Sequence, residues 1–203
     1  MLPPGGDKRR MRVGLLGGSF NPAHHGHLQL AQRALRQLRL DQVWLLVSPG
    51  NPLKPVAGMA ALEQRLAGAQ ALTRDRRILA TDIERRLGTR YTVDTVQALR
   101  RRFPLVQFVW LMGADGFAEL PRWRRWTQLA RLVPFAVLPR PTYNQRALAG
   151  QAALRWRRAR RPAREAVILP AHPVPSWIFL PAPQNDISAT ALRAARRPGA
   201  SDA

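Results

Sequence analysis

Residues 12–28 carry the sequence RVGLLGGSFNPAHHGHL, in which an apolar run leads through two glycines and a proline-containing turn into a helical pattern. The run is typical of a buried strand, and the apolar residues after the turn recur at helical spacing. A strand, a tight glycine turn and a helix N-terminus together form a corner that binds phosphate. His24 and His27 lie three residues apart and share a face of the first helical turn, and Gly26 between them leaves room for a phosphate at the backbone.

This corner differs from two common phosphate-binding motifs. No Gly-Lys-Ser/Thr follows the glycines, as a P-loop requires, and the Gly-x-Gly-x-x-Gly spacing of dinucleotide-binding folds is missing. A zinc site at His24, His25 and His27 is one alternative, although the chain has no cysteine and only one other histidine, His172. A plain polar helix cap is the other alternative. We favour phosphate binding and expect no metal held by the protein itself.

Apolar runs alternate with helical patterns along the 203 residues, which predicts a single α/β domain with a largely parallel sheet flanked by helices. The predicted strands are 13–16, 43–47, 78–83, 106–112, 135–138, 166–169 and 177–180. The predicted helices are 25–39, 59–73, 93–102 and 144–160, with a short one from Ser188. We expect a disordered basic lead-in at 1–11, the domain at 12–197 and a tail at 198–203.

The balance of charges is strongly basic, with 33 Lys and Arg against 12 Asp and Glu and a net charge of +21. Such a charge favours nucleic acids as partners, but the basic residues are dispersed and all but Lys8 and Lys54 are arginine. We interpret the arginine-rich run 155–164 as a solvated face and expect no specific nucleic-acid partner. No run is long enough to span a membrane, no signal peptide is visible, and the absence of cysteine fits the cytoplasm.

Three further segments follow strands or begin helices, where ligands bind in such a sheet. Lys54 lies after the second strand, where a compact ammonium group suits a phosphate. Asp115 follows the strand 106–112. Ser188 and Thr190 are cap-type residues at a helix start, with Arg193 about one turn further on, so hydroxyls and a guanidinium can clamp a polyphosphate.

Two of these segments resemble the signatures of one superfamily. Residues 17–27, GGSFNPAHHGH, resemble the G-x-F-x-P-x-H-x-G-H signature of the nucleotidyltransferases, and residues 187–193, ISATALR, resemble their I-S-x-T-x-x-R signature. Residues 91–95, YTVDT, and Gly113-Ala114-Asp115 followed by Trp123 are similar to strings of the bacterial nicotinate mononucleotide adenylyltransferases. Pro139-Arg140-Pro141 resembles that branch's turn after the fifth strand.

The resemblance implies a Rossmann-like domain that transfers AMP from ATP to nicotinate mononucleotide, with Mg²⁺ carried by ATP. It implies catalytic roles for His24, His27, Lys54 and Arg193. It implies ATP binding by Gly17, Gly18, Ser19, Phe20, Gly26, His27, Gly113, Asp115, Ile187, Ser188, Thr190 and Arg193. It implies mononucleotide binding by Ser19, Lys54, Tyr91, Thr92, Trp123 and Arg140. From the residues alone, Thr92 can be a helix N-cap and also receive the substrate carboxylate, whereas Trp123 is equally a half-buried core side chain.

The chain departs from the family pattern at one position, and its sequence fits several other functions. The family often has a histidine before the loop lysine, where this chain has Leu53. A pantetheine-phosphate adenylyltransferase is the nearest rival function, although those chains usually lack the YTVDT string. A basic RNA-binding protein and a catalytically idle nucleotide sensor are rivals of other classes. The sequence does not determine the oligomeric state, and a homo-oligomer is one of the alternatives.

Overall fold

The structure is a computed structural model that describes residues 8–50 and 58–181. Within these ranges seven strands form one sheet in the order β3-β2-β1-β4-β5-β7-β6, and every neighbouring pair is parallel. The predicted α/β fold with a largely parallel sheet is thereby confirmed. The strands are β1 (Met11–Gly18), β2 (Gln42–Val47), β3 (Ile78–Thr81), β4 (Val106–Gly113), β5 (Phe135–Leu138), β6 (Arg160–Arg161) and β7 (Trp177–Phe179).

The order of the strands changes direction between β1 and β4. The chain winds from β1 outward through β2 to β3, then returns to pair β4 with the other side of β1. In an open parallel sheet this change leaves a crevice beyond the carboxyl ends of the strands, and ligands bind there. The loops after β1, β2 and β4 therefore border the candidate site.

Helices cover both faces of the sheet. The α-helices are α1 (His25–Gln37), α2 (Leu62–Ala71), α3 (Ile83–Leu87), α4 (Thr92–Arg102), α5 (Ala114–Glu119), α6 (Trp126–Leu129), α7 (Asn144–Leu148) and α8 (Gln151–Arg155). Short 3₁₀ helices span Leu120–Arg122, Arg157–Ala159 and Ala163–Ala171. None of the helices in the described ranges combines the length and the apolar composition that crossing a bilayer requires.

The core consists of two apolar clusters, one on each face. Ala31, Ala34 and Leu35 of α1 pack on one face, and Val96 and Leu99 of α4 pack on the other. All four residues of β5 are buried, because a strand of a doubly covered parallel sheet has no solvent-facing side. The hydrophobic effect of these two clusters holds the carboxyl ends of the strands in register around the site.

The structure corrects several predicted elements. The predicted strand 166–169 is part of a 3₁₀ helix, and the predicted helix 144–160 is divided into α7, α8 and a 3₁₀ turn. The third strand ends at Thr81 instead of residue 83, because Ile83 begins α3 and packs into the core. Met11, which we assigned to the lead-in, is the first residue of β1. Residues 1–7, the predicted short helix at Ser188 and the tail lie outside the described residues.

Candidate active site

The corner between β1 and α1 is organised by its two histidines. His24 is the N-cap of α1, and its Nδ1 accepts a hydrogen bond from the Gly26 N–H at 3.2 Å. The Nδ1 of His27 accepts one from the His24 N–H at 3.3 Å, which completes a reciprocal cap of the helix start. The Gly26 N–H is therefore engaged inside the corner, which differs from the open backbone that the sequence predicts there.

These hydrogen bonds determine where each imidazole carries its proton. A neutral imidazole has one donor and one acceptor nitrogen, so a ring that accepts at Nδ1 is protonated at Nε2. The two rings lie side by side, with centroids 3.8 Å apart. Burial, the Arg140 guanidinium and His25 lower the pKa of His24 from 6.5 to about 4, so this ring is neutral at pH 7. Each ring thus offers an Nε2–H donor suited to a phosphate oxygen.

Phe20 turns the chain between β1 and the histidines. Its φ is 47°, in the left-handed region that bulky residues rarely occupy, and its buried ring lies 4.7 Å from the His27 ring, centroid to centroid. Gly17, near the end of β1, has no side chain because a Cβ there would lie 2.8 Å from the ring of Trp110. The close approach of β1 and Trp110 brings the phosphate corner next to a cavity.

This cavity, with a volume of about 310 Å³, lies beside the corner at the carboxyl ends of β1, β2 and β4. Its lining includes six residues predicted to bind substrate: Gly17, Gly18, Ser19, Tyr91, Thr92 and Trp123. It also includes seven residues that the sequence analysis missed: Ser48, Gly50, Glu84, Arg90, Trp110, Arg122 and Arg124. A cavity of this volume suits a small-molecule ligand.

One wall of the cavity is the N-terminus of α4. Tyr91 is the N-cap and Thr92 the first helical residue, so the alternative that Thr92 caps the helix is wrong. No side chain caps this helix start, and the Tyr91 carbonyl accepts from the N–H groups of Asp94 and Thr95. The first N–H groups and the positive end of the helix dipole suit a carboxylate.

Aromatic and cationic side chains form another part of the lining. The rings of Trp110 and Trp123 meet at 90° with centroids 6.0 Å apart, and Trp123 is only half-buried. The Arg124 guanidinium lies 4.6 Å from the Tyr91 ring centroid, and Arg125 forms an ion pair with Asp94. Such a wall combines a flat aromatic surface with positive charge, which fits an anionic heterocycle.

Glu84 is the acidic member of the lining. It is buried, its Oε1 accepts a hydrogen bond from the Thr95 hydroxyl at 3.2 Å, and its carboxyl group also contacts the Ser48 hydroxyl. Burial raises the pKa of Glu84 from 4.5 to about 7, against the smaller opposing effect of these hydrogen bonds. The carboxyl group is therefore close to half protonated at neutral pH, and the charge of the cavity is predominantly positive.

Asp115 and Arg140 form a pair beside the phosphate corner. The Arg140 Nη1 donates to the Asp115 Oδ2 at 2.9 Å, and the backbone N–H of Arg140 donates to the Asn144 Oδ1 at 2.7 Å. Arg140 also acts electrostatically on His24 and is absent from the cavity lining, so it lies nearer the corner than the cavity, although the resemblance implies that it binds the mononucleotide. Gly113 precedes this pair, and a Cβ there would collide with the Asp115 carboxylate.

The remaining predicted site residues lie outside the described residues: Lys54, Ile187, Ser188, Thr190 and Arg193, as does Leu53, the departure from the family pattern. Within the described ranges, no three His, Asp or Glu side chains come together as a metal site. The donors at the corner are N–H groups, which suit phosphate oxygens and not a cation. The corner therefore fits a metal ion that arrives with a nucleotide, held by phosphate oxygens and water.

Comparisons with known sequences identify the family. The sequence profile described as cytidylyltransferase-like matches residues 15–195. A protein of Gluconacetobacter diazotrophicus described as a probable nicotinate-nucleotide adenylyltransferase is 67% identical over 189 residues, which cover 93% of this chain and 88% of that protein. A protein of Gluconobacter oxydans with the same description is 64% identical over 183 residues, covering 90% of this chain and 94% of that protein.

Solved structures share the fold. The Plasmodium falciparum nicotinic acid mononucleotide adenylyltransferase complexed with NaAD superposes with a TM-score of 0.70, covering 91% of this chain and 83% of that one. The same enzyme complexed with APC gives a TM-score of 0.68 with the same coverage. Sequence identity is 14% in both cases, so these two structures bear on the fold alone.

Proposed function

The chain belongs to the cytidylyltransferase-like family and, within it, to the nicotinate-nucleotide adenylyltransferases, and from this membership we propose that it transfers AMP from ATP to nicotinate mononucleotide. The products are deamido-NAD and pyrophosphate. One observation carries the assignment to this site: two Nε2–H donors at a helix start share the turn after β1 with a cationic, aromatic cavity. The first suits a triphosphate and the second an anionic pyridine nucleotide.

In the proposed reaction, an oxygen of the mononucleotide phosphate attacks the α-phosphorus of ATP in line with the leaving pyrophosphate. The new bond joins that oxygen to the α-phosphorus, and the bond to the bridging oxygen of the β-phosphate breaks. The nucleophile is already an anion, so the step needs no general base. The protein contributes by positioning both nucleotides and by stabilising charge on the phosphates.

We assign the ATP side to the corner. His24 and His27 donate from Nε2 to phosphate oxygens, His24 as a neutral ring because of its lowered pKa. Asp115, with its partner Arg140, holds a ribose hydroxyl. We add to the ATP side the residues that match the family motifs: Lys54, Ser188, Thr190 and Arg193. Mg²⁺ enters as part of the ATP substrate.

We assign the mononucleotide side to the cavity. The nicotinate carboxylate meets the uncapped start of α4 at Tyr91 and Thr92, and the pyridine ring stacks on Trp123. The positive charge of Arg90, Arg122 and Arg124 favours a substrate that carries both a phosphate and a carboxylate. The cytoplasm, which suits a chain without cysteine, is the proposed place of this reaction.

Pyrophosphate release from ATP with three acceptors tests the assignment. We expect nicotinate mononucleotide to react at least about tenfold better than the nicotinamide form, equivalent to about 1.4 kcal/mol in the transition state. Phosphopantetheine, the acceptor of the rival adenylyltransferases, should be inert. Equal rates with the two mononucleotides, or activity with phosphopantetheine alone, would contradict the proposed substrate.

Steady-state kinetics of single variants tests the division into two sides. His27→Ala and Arg193→Ala should lower kcat by about a hundredfold or more, as the loss of one donor to a developing anion does elsewhere. Trp123→Ala should chiefly raise the KM for the mononucleotide. His25→Ala and Trp126→Ala are matched controls, because His25 is exposed and Trp126 is a half-buried tryptophan outside the lining. An unchanged kcat in His27→Ala would refute the ATP side of the assignment.

A further inference from the structure

Arg65 of α2 is a buried cation that forms no ion pair with any acidic side chain in the described ranges. It is 4% exposed, and Glu63, its acidic neighbour in the helix, is bound instead to Arg85 at 2.6 Å. Burial lowers the pKa of Arg65, but an arginine remains charged at neutral pH. Burying a charge costs free energy unless its donors form hydrogen bonds. The hydrogen-bond partners of Arg65 therefore indicate its role.

All of these hydrogen bonds go to backbone carbonyls. The Nη1 of Arg65 donates to the carbonyls of Ser19 and Ser48, both at 2.7 Å. Its Nε donates to the Ala60 carbonyl at 2.9 Å, and its Nη2 lies 3.4 Å from the Pro49 carbonyl. One guanidinium thus joins the turn after β1 to the loop after β2.

Because the peptide unit is planar, a hydrogen bond that holds a carbonyl also fixes the direction of the next N–H group. In a trans peptide the C=O and the next N–H point in opposite directions. Holding the Ser19 carbonyl toward Arg65 therefore turns the Phe20 N–H away from the guanidinium. Ser19 lines the cavity and Arg65 does not, so the clamp acts from behind the turn.

The turn needs such support because its backbone is strained. Phe20 has a φ of 47°, a conformation that costs a non-glycine residue free energy and persists only when its surroundings enforce it. On the other side of Phe20, the Asn21 side chain donates to the Gly58 carbonyl at 3.1 Å and accepts from the Ala60 N–H at 3.3 Å. Arg65 and Asn21 therefore hold the strained residue from both directions.

We propose that Arg65 is a positioning residue for ATP: by clamping the turn after β1 to the loop after β2, it orients the turn that receives the phosphates, and it adds a positive charge behind them. The proposal rests on the proposed function, which places the ATP phosphates at this turn. Arg65 itself touches no substrate in this scheme. Ser19 and Ser48, whose carbonyls it holds, also line the cavity, so loss of the clamp should affect the ATP side more strongly than the mononucleotide side.

The test compares Arg65→Met, Arg65→Lys and wild type in the full chain. Calorimetry measures the Kd for a non-hydrolysable ATP analogue, and initial rates give kcat and both KM values at a temperature where circular dichroism shows each variant folded. We expect Arg65→Met to weaken binding of the analogue at least about tenfold and to lower kcat by about a hundredfold, the scale reached when a remote change misplaces a reacting group. The KM for the mononucleotide should rise by a smaller factor than the Kd for the analogue.

Arg65→Lys separates the charge from the clamp and serves as the folded variant if Arg65→Met does not fold. Lysine keeps a positive charge but lacks the planar fork that spans several carbonyls, so it should recover part of the analogue binding while kcat stays low. Arg77→Met is the matched control, because Arg77 is an exposed arginine whose side chain binds Asp75 and no other side chain in the described ranges, so the variant should leave all constants unchanged.

Two results would overturn the proposal. One is a folded Arg65→Lys or Arg65→Met protein that binds the analogue and turns over like wild type. The other is an equal loss on both substrates that follows the unfolded fraction, which would make Arg65 a stabilising residue only. Failure of the proposed function gives a different result, because a wild-type protein that releases no pyrophosphate with any acceptor still reports the effect of Arg65 on analogue binding.

Discussion

The ring of His24 has a different role at each nitrogen in the proposed reaction. Nδ1 caps α1 by accepting from the Gly26 N–H, and this hydrogen bond leaves the proton on Nε2. The local structure of the helix start and the chemistry of the donor are therefore set by one side chain. From the sequence, phosphate binding and a polar helix cap are alternatives for this corner, whereas the structure shows that His24 caps α1 through Nδ1 and leaves Nε2 for a phosphate.

His24→Asn and His24→Ala separate the two roles of this side chain. Asparagine is a good N-cap, so His24→Asn should keep the free energy of unfolding within about 0.5 kcal/mol of wild type, whereas His24→Ala should lose about 1 kcal/mol. Both variants lack the Nε2–H donor, so both should lose about a hundredfold in kcat. Chemical denaturation and initial rates measure the two effects, and a wild-type kcat in His24→Asn would refute the donor role.

At the scale of elements, the candidate site lies where helices begin, and the predicted helices α1 and α4 are confirmed there. The short α3 is different, because 78–83 looks like one apolar strand in the sequence. Asp82 ends that run as the N-cap of α3, which turns Ile83 into the core and brings Glu84 to the cavity. A lone glutamate followed by two arginines carries no signal of burial, so the sequence analysis missed it.

The free energy of unfolding should depend on pH because the carboxyl group of Glu84 titrates. Its pKa rises from 4.5 in the unfolded chain to about 7 in the folded one, so between these values the folded state binds more protons. The free energy of unfolding therefore falls as the pH rises from about 4.5 to 7, by about 3 kcal/mol at about 1.4 kcal/mol per pKa unit. Denaturation of wild type and Glu84→Gln between pH 5 and 8 measures this difference.

Glutamine is the matched replacement because it keeps the shape and has no charge to bury. The unfolding free energy of Glu84→Gln should lack the fall in this window, and the variant should be at least as stable as wild type at pH 8. Asp94→Asn, which removes a half-buried carboxylate of α4 from its pair with Arg125, controls for general charge effects. Parallel pH profiles for wild type and Glu84→Gln would contradict the raised pKa.

Two other elements show where periodicity alone fails. The apolar residues 166–169 predict a strand, but Ala166 and Leu169 are buried and Ile168 is 52% exposed, a period of three that fits a 3₁₀ helix. The helical pattern over 144–160 is interrupted at Gly150, where a Cβ would lie 2.7 Å from the Arg146 carbonyl. Both outcomes depend on tertiary packing and a local close approach, which a single sequence does not contain.

For the whole molecule, the net charge and the pattern of motifs and elements predict different classes of protein. The two signatures and the alternation of elements predict the sheet and the location of the site, whereas the net charge of +21 by itself favours the wrong class of protein. Four arginines of the run 155–164 are exposed in addition to Arg155: residues 157, 158, 160 and 164. These arginines are absent from the cavity lining and belong to the solvent-exposed surface.

A gel-shift titration with RNA tests this interpretation. We expect weak binding without sequence preference that falls steeply between about 50 and 200 mM salt, as purely electrostatic contacts with phosphates do. Replacing Arg157, Arg158 and Arg164 with glutamine should weaken it further and leave pyrophosphate release unchanged. Tight, sequence-selective binding that survives at 200 mM salt would identify a nucleic-acid function that the site does not explain.

The right-angled pair of Trp110 and Trp123 has a spectroscopic consequence. Both indoles line the cavity, while the other four tryptophans, residues 44, 126, 156 and 177, are absent from its lining. In the proposed complex, an electron-poor pyridinium ring stacked on Trp123 should quench indole emission on contact, whereas ATP phosphates at the corner should not. We therefore expect the unmodified chain to report mononucleotide binding optically, so that a fluorescence titration with nicotinate mononucleotide follows binding before any bond is made.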